Sequence, residues 1–313
     1  MRQCESNPSQ NKLPPGIKEP ELVQAIENSG YPLQGVTAAK LLSEFSVTEE
    51  WGYIDRDSQE HRTLDVFAFK PLTDDKSANI QPLLILLIEC KRSEHPYVFF
   101  QTVTDRQIPQ FPHVAGLPRG IVSIHESSGN RMQECPGDKA LGLNALPFVR
   151  SGPPHCCAFS KAEPSGNKVR LSGSDPFKNL ILPLIKASVH ATDLYRTDQR
   201  PSRLFPALVL CVSVLDSPMI LVESPSKSAD PMLIPWARVS RQEAIRDRQN
   251  WLRYRFYAID AVHIDFFHKY ISEKLLPFAR EFAQRALRME GILFNGGIVA
   301  NLDNWTWEDI KPK

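Results

Sequence analysis

"LLILLIECKR", residues 83–92, decides how this chain is read. Six apolar residues run unbroken into Glu89-Cys90-Lys91-Arg92. A strand that is apolar on both faces belongs in the middle of a sheet, covered on both sides. Burying charge is costly unless the charge is paired, solvated or bound to a metal. The charged end therefore marks either the exit of the strand from the core or a site. Strand side chains alternate, so Glu89 and Lys91 share one face and Cys90 takes the other.

The preceding run, "HRTLDVFAFK" (61–70), is rich in β-formers, and "EEWGYIDRD" (49–57) precedes it. The polar loop "PLTDDKSANIQP" (71–82) predicts a hairpin connection into the apolar strand. Within the second run Asp65 is out of place, because Asp is disfavoured in strand interiors. A hairpin would set Asp65 beside Glu89, and the backbone carbonyl of Cys90 would lie between Glu89 and Lys91. Two carboxylates and a carbonyl suit a hard divalent cation, which takes one or two protein carboxylates and keeps several waters. Such an ion activates a water and neutralises a phosphoryl oxygen. Lys91 is placed to orient that water or stabilise developing charge.

Further out, "EPELVQAIENSG" (19–30) and "GVTAAKLLSEFSV" (35–47) read as helices, the second carrying Glu44. Residues 104–170 are rich in Pro, Gly, Ser and Asn without sustained periodicity, and read as an insertion with one or two hairpins, "HCCAFSK…NKVRLSG" among them. "SDPFKNLILPLIKASVHATDLYR" (174–196) has helical spacing, with Pro183 expected to kink or split it. "LFPALVLCVSVLDSPMILVES" (204–224) reads as two strands around Asp216-Ser217-Pro218, "YRFYAIDAVHID" (254–265) as another, and 266–288 as an amphipathic helix interrupted at Pro277. This order predicts mixed α/β architecture around one sheet. A lead-in over 1–18, a single domain over 19–290 and a tail over 291–313 are expected.

The 313 residues are 42% hydrophobic and 23% charged, with a formal net charge of +1. That is the composition of a soluble globular protein, and it carries no global basic footprint for nucleic acid. Six cysteines occur without a CxxC pair, the N-terminus has no apolar signal core, and "FPALVLCVSVL" (205–215) is too short to span a bilayer. A cytoplasmic protein with reduced thiols, not a membrane protein, is expected.

Asp65 followed by Glu89-Cys90-Lys91 resembles the PD-(D/E)XK nuclease superfamily, the restriction-endonuclease-like fold. Residues 35–216 are similar to its order of helix, three antiparallel strands, second helix and further strand, if 104–170 is an insertion. The resemblance implies a mixed central sheet flanked by helices, here with a C-terminal strand-helix extension. It implies Mg²⁺, with Mn²⁺ able to substitute, bound by Asp65, Glu89 and the Cys90 carbonyl. Lys91 would position the attacking water, and Glu44 matches a helical glutamate that assists the metal in some branches. Leu64 stands where the family name has proline. The implied activity is Mg²⁺-dependent hydrolysis of phosphodiester bonds, in DNA by the family's habit, with RNA left open. The alternative is a non-catalytic nucleic-acid-binding or interaction module that keeps the fold.

An acid-x-Lys triplet alone is weak, since Asp74-Asp75-Lys76 repeats it inside a polar loop. The bland reading of the site is a solvated strand end, with Asp65 as an ion-pair partner of Arg62. "RVSRQEAIRDRQNWLRYRF" (238–256) interleaves arginines with aromatics. It reads either as a phosphate-contacting patch including Arg248, Arg253 and Arg255, or as a solvated helix face. Arg62, Arg92 and Gln101 are further candidate nucleic-acid contacts. His155-Cys156-Cys157 lacks a second ligand pair and reads as structural. Asp260 is an acid inside an apolar strand with no assigned role. Oligomeric state stays open.

Overall fold

A computed structural model of the chain describes residues 4–102, 108, 111–118, 121–125, 132–196, 202–223, 230–246, 252–294 and 298–300. In chain order, α1 (Glu19–Asn28) and α2 (Tyr31–Leu41) lead into β1 (Ser46–Ile54), β2 (His61–Pro71), β3 (Leu83–Arg92) and β4 (Tyr97–Gln101). Short pieces follow: β5 (His113–Ala115), β6 (Ile121–His125), β7 (Met132–Pro136), α3 (Gly137–Ala140) and α4 (Pro147–Arg150). Next come β8 (His155–Ser165), β9 (Lys168–Ser172), α5 (Ser174–Pro176) and α6 (Leu182–Leu194). The chain continues through β10 (Ala207–Asp216), β11 (Met219–Val222), β12 (Pro231–Leu233), β13 (Trp236–Arg246) and β14 (Leu252–His263). It closes with α7 (Ile264–Lys269), α8 (Leu276–Arg288), α9 (Glu290–Phe294) and β15 (Ile298–Ala300).

The architecture is α/β, a large mixed sheet flanked by helices. Strands run in the order β1-β2-β3-β10-β14-β13-β8-β4-β11-β12, and β15-β6-β7 forms a small separate sheet. β1, β2 and β3 are antiparallel neighbours, while β10 runs parallel to both β3 and β14. The apolar run sits where its composition demands: β3 is buried from Leu83 to Cys90, with β10 buried beside it. On one face Leu84, Leu86 and Ile88 join Leu208, Leu210 and Val212 under α2, α7 and α8, which contribute Leu41, Phe267 and Phe282 among others. On the other face Leu83, Ile85 and Leu87 pack with Val209 and Cys211 against Leu184, Ile185 and Ala187 of α6. Tyr97, Phe99 and Phe159, from β4 and β8, belong to this second core.

Several sequence expectations need correction. The second helix ends at Leu41 instead of Val47, because Val47 and Thr48 pair with Ala68 and Phe67 in the β1–β2 ladder. Sheet pairing overrides the helical spacing, and Glu44 falls in the turn. Pro183 and Pro277 do not break their helices. Each follows a π-helical segment, Phe177–Ile181 and Tyr270–Leu275, which absorbs the missing proline N–H at the second position of the next helix. Residues 238–246 and 252–256 form no helix face; they belong to the antiparallel hairpin of β13 and β14. The expected hairpin in 155–171 is present as β8–β9, turning at Gly166 with φ 60°.

The β13–β14 hairpin explains Asp260. Its carboxylate takes Arg238 bidentately, at 2.6 and 2.9 Å, and accepts from the Tyr270 hydroxyl at 2.9 Å. Arg238 also donates to the Phe148 carbonyl at 2.9 Å, and its guanidinium lies 4.3 Å from the Phe111 ring centre. Gly152 permits this approach, since a Cβ there would sit 2.7 Å from the Phe148 oxygen and 3.0 Å from an Arg238 nitrogen. Among the described residues, no helix is long and apolar enough to cross a membrane.

Candidate active site

Asp65, Glu89 and Lys91 meet at the end of β3. The β2–β3 ladder runs to Val66 opposite Ile88, and one step further Asp65 comes level with Glu89. There the Asp65 side chain takes over from the backbone, its Oδ2 accepting the Cys90 amide at 2.7 Å. Lys91 Nζ donates to Glu89 Oε1 at 2.7 Å. Glu89 and Lys91 share the α6 face, in step with Leu83, Ile85 and Leu87, and the buried Cys90 side chain takes the opposite face.

Asp65 has a cause that alternation cannot show. Val47 of β1 packs on the α2 face, yet Trp51 and Tyr53, also odd-numbered, pack on the α6 face. On β2, Val66 and Leu64 are divided in the same way. The switch falls at Glu50, whose φ is 50°, a left-handed conformation that non-glycine residues adopt at a cost of roughly 1–3 kcal/mol. The β1–β2 pairing skips there, passing from Glu49–Val66 to Trp51–Leu64. Glu50 and Asp65 occupy the irregular step.

The electrostatics follow from this crowding. Burial pushes Glu89 up to about 7; the Lys91 ammonium pulls against it, and the Asp65 and Glu50 charges add to it. Asp65 is also raised, first by burial and then by Glu50, against the Cys90 amide and Lys91. Burial works to lower Lys91, but Glu89 and Asp65 outweigh it and leave its pKa above the usual value. Tyr97 of β4 lies within reach of the Lys91 charge, which opposes the burial that raises its phenol. Beside Glu89 on the parallel neighbour stands Ser213, whose buried hydroxyl has no hydrogen-bond partner among the described residues.

A stability prediction follows. Glu89 has a folded pKa of about 7 against 4.5 unfolded, so its carboxyl favours folding below about pH 4.5 relative to higher pH. That advantage is lost as pH rises through 7. Glu89→Gln should match wild-type stability near pH 4 and exceed it at pH 8 by up to about 3 kcal/mol, at 1.36 kcal/mol per unit. Urea unfolding at the two pH values checks this; equal stability at pH 8 would refute the buried, proton-binding acid.

Other expected site residues lie elsewhere. Glu44 is held by Lys70, 3.0 Å away, and Lys70 pairs with Leu84, roughly 17 Å of strand from Glu89. Its place as the additional acid near the pair falls to Glu50. Arg62 does not pair with Asp65; it binds Asp55 at 3.1 Å and Glu60 at 2.9 Å. Arg92 pairs with Asp216 at 3.4 Å and donates to the Glu27 carbonyl. Gln101 ends β4 opposite Cys156, about 13 Å of strand beyond Tyr97. Arg255 stacks on Tyr257 at 5.5 Å and lines a small internal cavity with Phe111 and His113. Arg253 sits opposite Ile245 in the hairpin ladder, and Arg248 lies outside the described residues.

Two larger cavities do not contain the site. One, about 630 Å³, is walled by Phe148, Trp236, Phe266 and Phe278. The other, about 640 Å³, opens at the carboxyl ends of the parallel strands, lined by Arg92, Asp216 and His263. Open α/β sheets place ligands outside such strand ends.

Among the described residues no three His, Cys, Asp or Glu side chains converge at metal-ligand spacing. The donor set at the β3 end is nonetheless all-oxygen, the Asp65 and Glu89 carboxylates. Mg²⁺ takes few protein ligands of this kind and completes its shell with water. The residues therefore fit a hard divalent ion. No family model, curated protein or solved structure matches the chain.

Proposed function

We propose that this chain is a metal-dependent nuclease that hydrolyses phosphodiester bonds, with Asp65 and Glu89 holding Mg²⁺ and Lys91 acting on the attacking water. The observation that carries this reading is the convergence at the β3 end. β2 brings Asp65 to the Cys90 amide at 2.7 Å, and within β3 Lys91 donates to Glu89 at 2.7 Å. The order of α2, three antiparallel strands, α6 and the parallel β10 supports a restriction-endonuclease-like core. DNA as the substrate, over RNA, rests on that family resemblance, as does a cytoplasmic location.

The bound ion supplies charge neutralisation at a phosphoryl oxygen and a more acidic water. The protein's own groups do the rest. Asp65 is fixed by the Cys90 amide, so its free oxygen keeps one direction. Glu89 is raised to about 7, and a nearby cation would favour its ionised form. Lys91 is one-third exposed. With another cation on Glu89, its ammonium would be free to face the reacting oxygens.

A non-catalytic binding module is the second reading, favoured by the closed Lys91–Glu89 pair, which satisfies the buried acid without any ion. Incubation with mixed DNA and RNA plus Mg²⁺ or Mn²⁺ separates the two. Wild type should cleave at least one polymer and Lys91→Ala should fall by 10²-fold or more, the size of a lost charge-stabilising group. Equal products from both proteins would refute the assignment.

A further inference from the structure

The β10 strand carries one polar side chain in an otherwise apolar stretch, "ALVLCVSVL" (207–215). Ser213 is 1% exposed, and its hydroxyl has no hydrogen-bond partner among the described residues. Buried hydroxyls are nearly always partnered, and Ala or Val would serve this strand's packing without that cost.

The position of the hydroxyl is defined. Ser213 pairs with Glu89 across the parallel β3–β10 ladder and with Ala261 across β10–β14. It shares the α6 face with Val209, Cys211 and Leu215, the face on which Glu89 and Lys91 also lie. Neighbouring strands are about 4.8 Å apart. Of its lateral neighbours, Ala261 offers no polar side-chain atom, whereas Glu89 presents a carboxylate. In the closed state Glu89 Oε1 is bound by Lys91.

We infer that Ser213 is a positioning residue for Glu89, its hydroxyl held for the metal-loaded state; this rests on the nuclease reading above. When Lys91 turns to the reacting centre, Glu89 loses the donor that fixes its rotamer. Ser213 then donates to the carboxylate and keeps it directed at the ion. A ligand carboxylate is ordinarily oriented by such a partner, and losing one typically weakens metal affinity 10–100-fold.

The test uses the full chain and Mn²⁺ alone, with affinity measured by calorimetry for wild type, Ser213→Ala and Cys211→Ala. Ser213→Ala should bind Mn²⁺ 10–100-fold more weakly while melting no lower than wild type without metal, because it removes an unpaired buried hydroxyl. Cys211→Ala, on the same strand face, should leave the affinity within a few-fold. Unchanged affinity in Ser213→Ala, or an equal loss in both variants, overturns the inference and leaves the nuclease reading standing. A wild type that binds no Mn²⁺ overturns that reading and this inference with it.

Discussion

Asp65→Asn should lower phosphodiester hydrolysis by about 10³-fold or more while leaving the fold intact. The amide oxygen of Asn can still accept the Cys90 N–H that Asp65 takes at 2.7 Å, so the β2–β3 junction keeps its bond. What disappears is one of two carboxylates proposed to hold the ion. Metal-ion catalysis contributes several kcal/mol, and each 1.36 kcal/mol is tenfold in rate. Burial already disfavours the ionised form of Asp65, so the neutral amide should be no less stable at neutral pH. Cleavage assays in Mg²⁺, paired with thermal melts, check both halves. Activity within a few-fold of wild type would remove Asp65 from the site.

Asp260→Ala should destabilise the protein by about 3–5 kcal/mol, the cost of leaving a buried charge without its partner. Arg238 and Asp260 have side chains only 4% and 3% exposed. Without the carboxylate, the guanidinium keeps the Phe148 carbonyl and three aromatic rings. The Tyr270 hydroxyl, buried in the core, loses the acceptor it holds at 2.9 Å. Urea unfolding gives the number. A loss under 1 kcal/mol would mean that Arg238 finds water when the acid is gone. Replacing both partners with apolar residues of matching volume should recover most of the loss, because a buried pair is costly mainly when it is broken.

The sequence carried the elements whose composition decides their place. Residues 83–92 are too apolar for any position but a covered central strand, and β3 is one. The strict alternation of β3 also placed Glu89 and Lys91 on one face, where their ion pair forms. Ser213 was visible as a polar interruption in an apolar run, a signal the sequence reading passed over.

Other features depended on partners distant in sequence. The 238–256 segment reads from sequence as a phosphate-contacting patch or a helix face; pairing between β13 and β14 makes its described residues a hairpin instead. Glu44 looked like a helical acid because Lys40, Leu41 and Leu42 continue the pattern, but the β1 ladder claims the chain from Ser46 onward. The position of Asp65 depends on a change of face at Glu50, where a left-handed residue breaks the two-residue period on which strand reasoning rests.

By itself, then, the sequence determined an α/β chain with a buried central strand ending in an acid and a base, because hydrophobic run length and alternation are local properties. The hairpin pattern also set Asp65 beside that end; tertiary structure alone decided that Glu50 stands there in place of Glu44, with Ser213 from the parallel neighbour. Strand register and backbone irregularity are settled by the whole sheet packing at once, and no local pattern encodes them.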